Sequence, residues 1–194
     1  MGRWGYRLFE GDMDIDLAFD LVSSLGVNTK KWEYRPAQTV NQTDMLAPQD
    51  ALARYKTADY AKHLADVIIP SVRANFDKNN LGERLKAKSR TKEGKLNWDN
   101  LTSGEYKTII FGALLMGVGA KIKEKDLQHF RDLVPQVVCI PGTTWALEDT
   151  GFRSPGQAQF LAALDAYEPG KPRKSFTEYP YDAFGISNPK VWNL

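Results

Sequence analysis

From Asp12 onward the apolar positions of this chain recur with a helical period, and the interruptions fall where capping chemistry places helix ends. Between Asp12 and Gly26, Ile15, Leu17, Ala18, Phe19, Leu21, Val22 and Leu25 project onto one wide arc, opposite Asp16, Asp20, Ser23 and Ser24. Asp12 reads as the N-cap, the first turn is acidic, and Gly26 suits the left-handed residue beyond the end. Val27 to Pro48 lacks a period and reads as a long loop with one short strand. A second helical stretch runs from Gln49 to Phe76, broken before a capping Thr57 and kinked or stopped at Pro70, with Tyr60, Leu64, Val67 and Ile68 facing inward.

Thr102-Ser103-Gly104-Glu105 is a capping-box pattern ahead of the longest apolar run, Ile109 to Ala120, so a central helix is expected from about Ser103 to Val118, closed by Gly117 and Gly119. That run is twelve residues, short of the roughly 18 that a membrane-spanning helix needs. Lys123 to Leu133 follows as an amphipathic helix stopped by Pro135, and Gln136 to Ile140 as a short extended run. Ser154-Pro155-Gly156-Gln157 opens a last helix, to about Tyr167, with an N-cap, a proline at the first position and a glutamine at the third. Residues 168–194 then combine prolines with Phe176, Tyr179, Tyr181, Phe184 and Trp192, which suits an extended strap pinned by its rings. The expected fold is mainly α, with five to seven helices packed around the central one. Residues 1–194 form a single domain in this reading, with an N-terminal arm over 1–12.

Composition narrows the function without naming it. Apolar residues at 42% and charged residues at 26% are those of a folded globular protein, and a net charge of +2 gives the whole molecule no strong pull on nucleic acid or membrane. The single cysteine, Cys139, can make no internal disulfide, and no start of signal-peptide type opens the chain; both point to the cytoplasm.

Four features could carry chemistry. Trp4, Tyr6 and Phe9 are large amphipathic or apolar anchors which, with Asp14, could either dock the arm on the core or line a groove for a protein or small-molecule ligand; Asp14 is notable because it falls inside the apolar arc of its helix. In the series Glu10, Asp12, Asp14, Asp16 and Asp20, the pair Asp16 and Asp20 shares a helix face and could hold a divalent cation, although carboxylates near a helix start are also favoured by the backbone dipole. The spacing is not that of a calcium loop, since Leu17 stands where glycine is needed. Arg84, Lys86, Lys88, Arg90 and Lys92 recur at every second position, with Lys95 and Trp98 following, so an extended segment over 84–95 would set its cations on one side for phosphates. On a helix the same charges would be spread over solvent. Cys139 lies among Val137, Val138 and Ile140, as a buried thiol would; His63 sits at the edge of its stripe and is expected to be packed rather than catalytic, and His129, beside polar neighbours, is expected at the surface. Gly112 to Gly117 has phosphate-loop spacing, but Val118 stands where lysine is required.

The opening Gly2, Trp4, Gly5, Phe9, Glu10, Asp12 and Asp16 resembles the start of a family of small soluble proteins of unknown function beginning Met-Gly-x-Trp-Gly-x-x-x-Phe-Glu-x-Asp. The longer body looks like uncharacterised fungal proteins around the central helix and the Ser154-Pro155-Gly156-x-x-Gln159-Phe160 segment. Neither resemblance implies a catalytic residue. The distinctive residues are aromatics, glycines and surface charges, so the leading expectation is an intracellular binding or regulatory module. The alternatives are a small hydrolase-like enzyme using a divalent cation on the N-terminal carboxylates, and an anion or RNA binder using the basic segment.

Overall fold

The computed structural model describes residues 7–44, 46–81, 104–137 and 154–172. Trp4, Tyr6, the basic segment 84–95, Cys139, the capping residues Thr102 and Ser103, and the strap beyond Pro172 lie outside the described residues. The fold is mainly helical, and no β-strand occurs among the described residues. Helix α1 spans Asp12–Ser24, α2 Gln49–Tyr55, α3 Ala58–His63, α4 Ile69–Lys78, α5 Gly104–Val118, α6 Glu124–Leu133 and α7 Ser154–Asp165.

Helix α5 is the central element, because it is apolar on every side and must be enclosed. Tyr106, Ile109, Ile110, Phe111, Ala113, Leu114, Leu115, Met116 and Val118 are all buried, with α1, α4, α6 and α7 packed around them. Truncating one of these side chains, such as Leu114→Ala, removes both transfer energy and packing, and such changes cost about 2–5 kcal/mol. Gly112 lets two neighbours close in: a Cβ there would stand 3.0 Å from Phe130 Cζ on α6 and 3.1 Å from Phe160 Cζ on α7. Those two rings meet edge to face at 6.0 Å. On the other side Trp32, Phe76 and Phe111 form a chain of rings with centroids 6.2 and 5.9 Å apart.

Helix α1 begins one residue earlier than the sequence pattern predicts, with Gly11 as its cap and Asp12 inside its first turn. Its far end behaves as expected: Gly26 has φ +77° and donates its N–H to the Ser23 carbonyl at 2.9 Å. Ile15, Ala18, Leu21, Val22 and Leu25 are buried, whereas Phe19 is 41% exposed. It lies at the edge of the arc, whose centre packs on α5 and the Pro36–Thr39 turn.

The expected strand between Val27 and Pro48 is replaced by three 3-10 turns, Thr29–Lys31, Pro36–Thr39 and Asn41–Thr43. Local hydrogen bonds decide this. Asn28 accepts from the Lys30 N–H at 3.0 Å, Pro36 supplies a fixed φ, and the Thr39 and Thr43 hydroxyls donate to the Pro36 and Val40 carbonyls at 2.7 and 2.8 Å.

Thr57 caps α3 as predicted, accepting from the Tyr60 N–H at 3.1 Å. The helix does not stop at Pro70. A π turn over Leu64–Ile68 joins α3 to α4 and admits the proline as the second residue of α4, so the segment continues to Lys78. The wider turn also changes the phase of the buried stripe. Leu64 and Ile68 are buried in one register and Ile69, Val72 and Phe76 in the next, which leaves the predicted inward residue Val67 39% exposed.

Past α5, Gly119 turns the chain with φ +69° and accepts the Gly170 N–H at 2.9 Å. Residues 168–172 are tied across the ends of α4 and α5: Arg73 donates to the Gly170 carbonyl, and Tyr167 takes the Ile122 N–H at 3.0 Å while donating to the Ala120 carbonyl. After α6 the chain makes a 3-10 turn at Val134–Gln136, which takes in the first residue of the predicted extended run, and Val137 is extended; Cys139 and the remainder of that run fall outside the described residues.

Candidate functional site

The N-terminal turn Arg7–Glu10 is where the sequence places its groove candidates. Phe9 has φ +63°, a left-handed conformation that costs an aromatic residue energy and needs outside support. Three side chains supply it by capturing three consecutive N–H groups. Glu10 Oε2 accepts from Arg7 N at 3.1 Å, Gln159 Oε1 from Leu8 N at 3.1 Å, and Asp14 Oδ2 from Phe9 N at 2.9 Å. The other Asp14 oxygen accepts from the Tyr106 hydroxyl at 2.6 Å. The Arg7 guanidinium lies 3.6 Å from Glu10 Oε1, both side chains being buried. Phe9 and Asp14 are 0% exposed, so these two groove candidates serve the core and line no open surface. Asp14 lies in the apolar arc because its partners lie in the core; the N–H it takes precedes the helix rather than belonging to its first turn.

Asp16 and Asp20 are exposed on the outer face of α1. Partial burial, then the negative charges of Asp12, Asp20 and Asp44, raise the Asp16 carboxyl above its ordinary range. Among the described residues no group of three or more His, Cys, Asp or Glu side chains is arranged to hold a metal ion. His129, expected at the surface, is half-buried beside Phe130. The anion-binding candidates Arg84, Lys86, Lys88, Arg90 and Lys92 lie outside the described residues.

The structure assembles a different site, one that sequence reasoning missed. A groove of about 470 Å³ opens between the 3-10 turns and the α2–α3 corner. One wall carries Tyr34, Gln38 and Asn41, and the other Arg54, Tyr55, Thr57, Asp59, Tyr60 and His63, with Ile68 also lining it. Each wall is locally braced. Gln38 Oε1 accepts from Arg35 N at 2.7 Å, and Ala37 and Val40 anchor the turns in the core. Thr57 holds the corner from both sides, since its hydroxyl also donates to the Arg54 carbonyl at 2.7 Å.

The rings meet at angles rather than stacking on each other. Tyr34 and His63 form an edge contact across the groove at 5.8 Å, and Tyr55 and Tyr60 are tilted at 4.9 Å. The Arg54 guanidinium lies 5.7 and 5.9 Å from the Tyr55 and Tyr60 ring centres, within cation–π range. Burial, then the phenolic charge of Tyr55, pushes Tyr60 up to about 12, and Arg54 opposes the shift; Tyr60 therefore stays a protonated donor. Burial, followed by the Glu33 charge and its hydrogen bond, raises Tyr34 as well. Asn41 Oδ1 is buried with no hydrogen-bond partner. A buried acceptor without a donor is uncommon.

The fold and site thus define a mainly helical protein with an aromatic, mixed-charge groove at a helix corner. No protein-family model, curated protein or solved structure matches the chain. The sequence signal for the groove is Arg54-Tyr55 followed by Tyr60 and His63, polar-tipped rings on two short helices with little apolar stripe of their own. No described helix is long and apolar enough to cross a membrane.

Proposed function

We propose that the protein is a binding module and that the groove between the 3-10 turns and the α2–α3 corner is its recognition site. The observation that carries this reading is the groove itself: about 470 Å³, walled by three tyrosines and a histidine together with Gln38, Arg54 and Asp59. Sites for small ligands have volumes of roughly 300–1,000 Å³ and combine ring surface with a few placed polar groups. Tyrosine suits such a role because one side chain offers both apolar area and a hydroxyl at little conformational cost. The adjoining π turn supports the reading further, since such turns occur often at functional positions. The setting we assign is the cytoplasm, supported by a single cysteine that can form no internal disulfide.

The test is an amide-resolved NMR titration of the full chain with a library of phenol-, imidazole- and carboxamide-bearing fragments, repeated with Mg²⁺. Shifts gathered on residues 34–42 and 54–68, and diminished in Arg54→Ala, are expected. Fragments that leave the groove unmoved would overturn the proposal. Shifts confined to the neighbourhood of Asp16 and Asp20 on adding Mg²⁺ would replace it with the metal-dependent enzyme reading.

A further inference from the structure

We propose that the groove receives the outer face of α1 from a second copy of this chain. The proposal rests on the binding-module reading above and names the partner.

The outer face of α1 is a projecting surface that is both apolar and acidic. At about 100° per residue, Asp12, Asp16, Phe19, Asp20 and Ser23 fall within one arc of roughly 100°. Asp16, Phe19, Asp20 and Ser23 are exposed, and Asp12 is half-buried. A lone exposed ring is ordinary, but Phe19 has a neighbour of its own kind. Leu46 is 65% exposed; its N–H is held at 2.9 Å by the carboxylate of Asp44, whose charge reaches Asp16. Four carboxylates are thus crowded beside two apolar side chains, and a cation brought to this surface relieves their mutual repulsion.

The groove offers the complement. Tyrosine and arginine are the residue types on which protein–protein binding energy concentrates, and the groove presents three of the first and one of the second. Arg54 is exposed and makes no ion pair among the described residues. With Tyr55 and Tyr60 against its face, its N–H groups remain to meet a carboxylate as a planar fork. A volume of about 470 Å³ is in the range that holds drug-sized ligands, room for one phenyl ring and the two carboxylates beside it. Tyr34 and His63 line the space left for the ring.

The occupant comes from another molecule, because Ile15, Ala18, Leu21 and Val22 fix α1 in its own core. A second copy supplies it: every chain carries both the acidic face and the groove, and a net charge of +2 leaves little repulsion between copies. Face and groove are different surfaces, so copies can close as a two-fold pair through two such contacts or continue head to tail. Mass grows with concentration in either arrangement.

The experiment is sedimentation velocity of the full chain from about 10 µM to about 1 mM at low salt, with NMR spectra of the same samples. Mean mass is expected to rise with concentration, with shifts on residues 12–24, 34–42 and 54–68, and to fall back as salt is added. Phe19→Ala and Arg54→Asp should each weaken association at least tenfold. Both positions are exposed, so circular dichroism should show the fold unchanged. Exchange of charge gives the sharpest arm. The double variant Asp16→Arg, Asp20→Arg and the single variant Arg54→Asp should each remain monomeric alone and associate when mixed, since each then offers the charge the other lacks. A wild-type chain monomeric at every concentration, association indifferent to these substitutions, or a charge-exchanged mixture that stays monomeric would each overturn the proposal. If the fragment library maps to the groove of a chain that stays monomeric, the second-copy assignment fails and the binding groove stands. If neither association nor fragments map there, both fail.

Discussion

Replacing Tyr106 by Phe removes one oxygen from the interior and leaves the ring in place. That oxygen donates to Asp14 Oδ1 at 2.6 Å, and both residues are 0% exposed, so no solvent stands ready to replace it. Hydrogen bonds to carboxylate groups contribute about 1.5–3 kcal/mol, and the loss is greatest when the abandoned acceptor stays buried. The small void left by the hydroxyl adds a few tenths at about 24 cal/mol per Å³. A total near 2–3 kcal/mol is expected, which for a chain of this length lowers the melting temperature by roughly 4–12 °C. Urea unfolding followed by circular dichroism measures it, and the slope against urea should not change. The cycle with Asp14→Ala isolates the pair: a coupling of at least about 1 kcal/mol is expected for groups in direct contact. Destabilisation under about 0.5 kcal/mol together with no coupling would refute the argument that this buried bond fixes the Arg7–Glu10 turn to α5.

Three further outcomes follow from the same geometry. Glu10→Ala removes the buried carboxylate 3.6 Å from the Arg7 guanidinium and the acceptor of the Arg7 N–H, and should cost about 1–3 kcal/mol in the same unfolding assay, above a surface truncation. Gly119→Ala combines a φ of +69° with a Cβ placed 2.8 Å from the Lys171 backbone, so about 2–4 kcal/mol should be lost, together with amide-exchange protection at Gly170. Tyr60 ionises at about 12 in the folded protein against an ordinary 10.0. Because the folded state holds this proton more tightly, its contribution is complete below pH 10 and is lost as pH rises towards 12. Stability should therefore fall over that window, and Tyr60→Phe should flatten the decline; ultraviolet titration of the phenols checks the assignment.

Both the stretch of sequence and the tertiary contacts that decide each feature can be named. Helices α1, α5, α6 and α7 were legible because their signals are local: the left-handed Gly26 and Gly119, the apolar run at Ile109–Ala120, the proline after α6, and stripes repeating every three or four residues. The central place of α5 followed from its being apolar all round, a property no exposed helix tolerates. The same local reasoning failed where neighbours set the answer. Asp14 is interpretable only through Tyr106, 92 residues away, and the support of Leu8 N comes from Gln159, 151 residues away. Val67 left the buried stripe because a π turn shifted the helical phase, and Phe19, at the edge of the α1 arc, is 41% exposed.

The groove marks the same division most clearly. The sequence by itself determined the ingredients on each wall, namely the Thr57 cap, the Pro36 turn and the tyrosines of two short helices. Only the tertiary structure brought Tyr34 to within 5.8 Å of His63 and sealed Asn41 Oδ1 away from solvent. Helix ends are settled by hydrogen bonds a few residues long and can be read along the chain; a concave surface is the meeting of separate segments, and its shape exists only once the core beneath has packed.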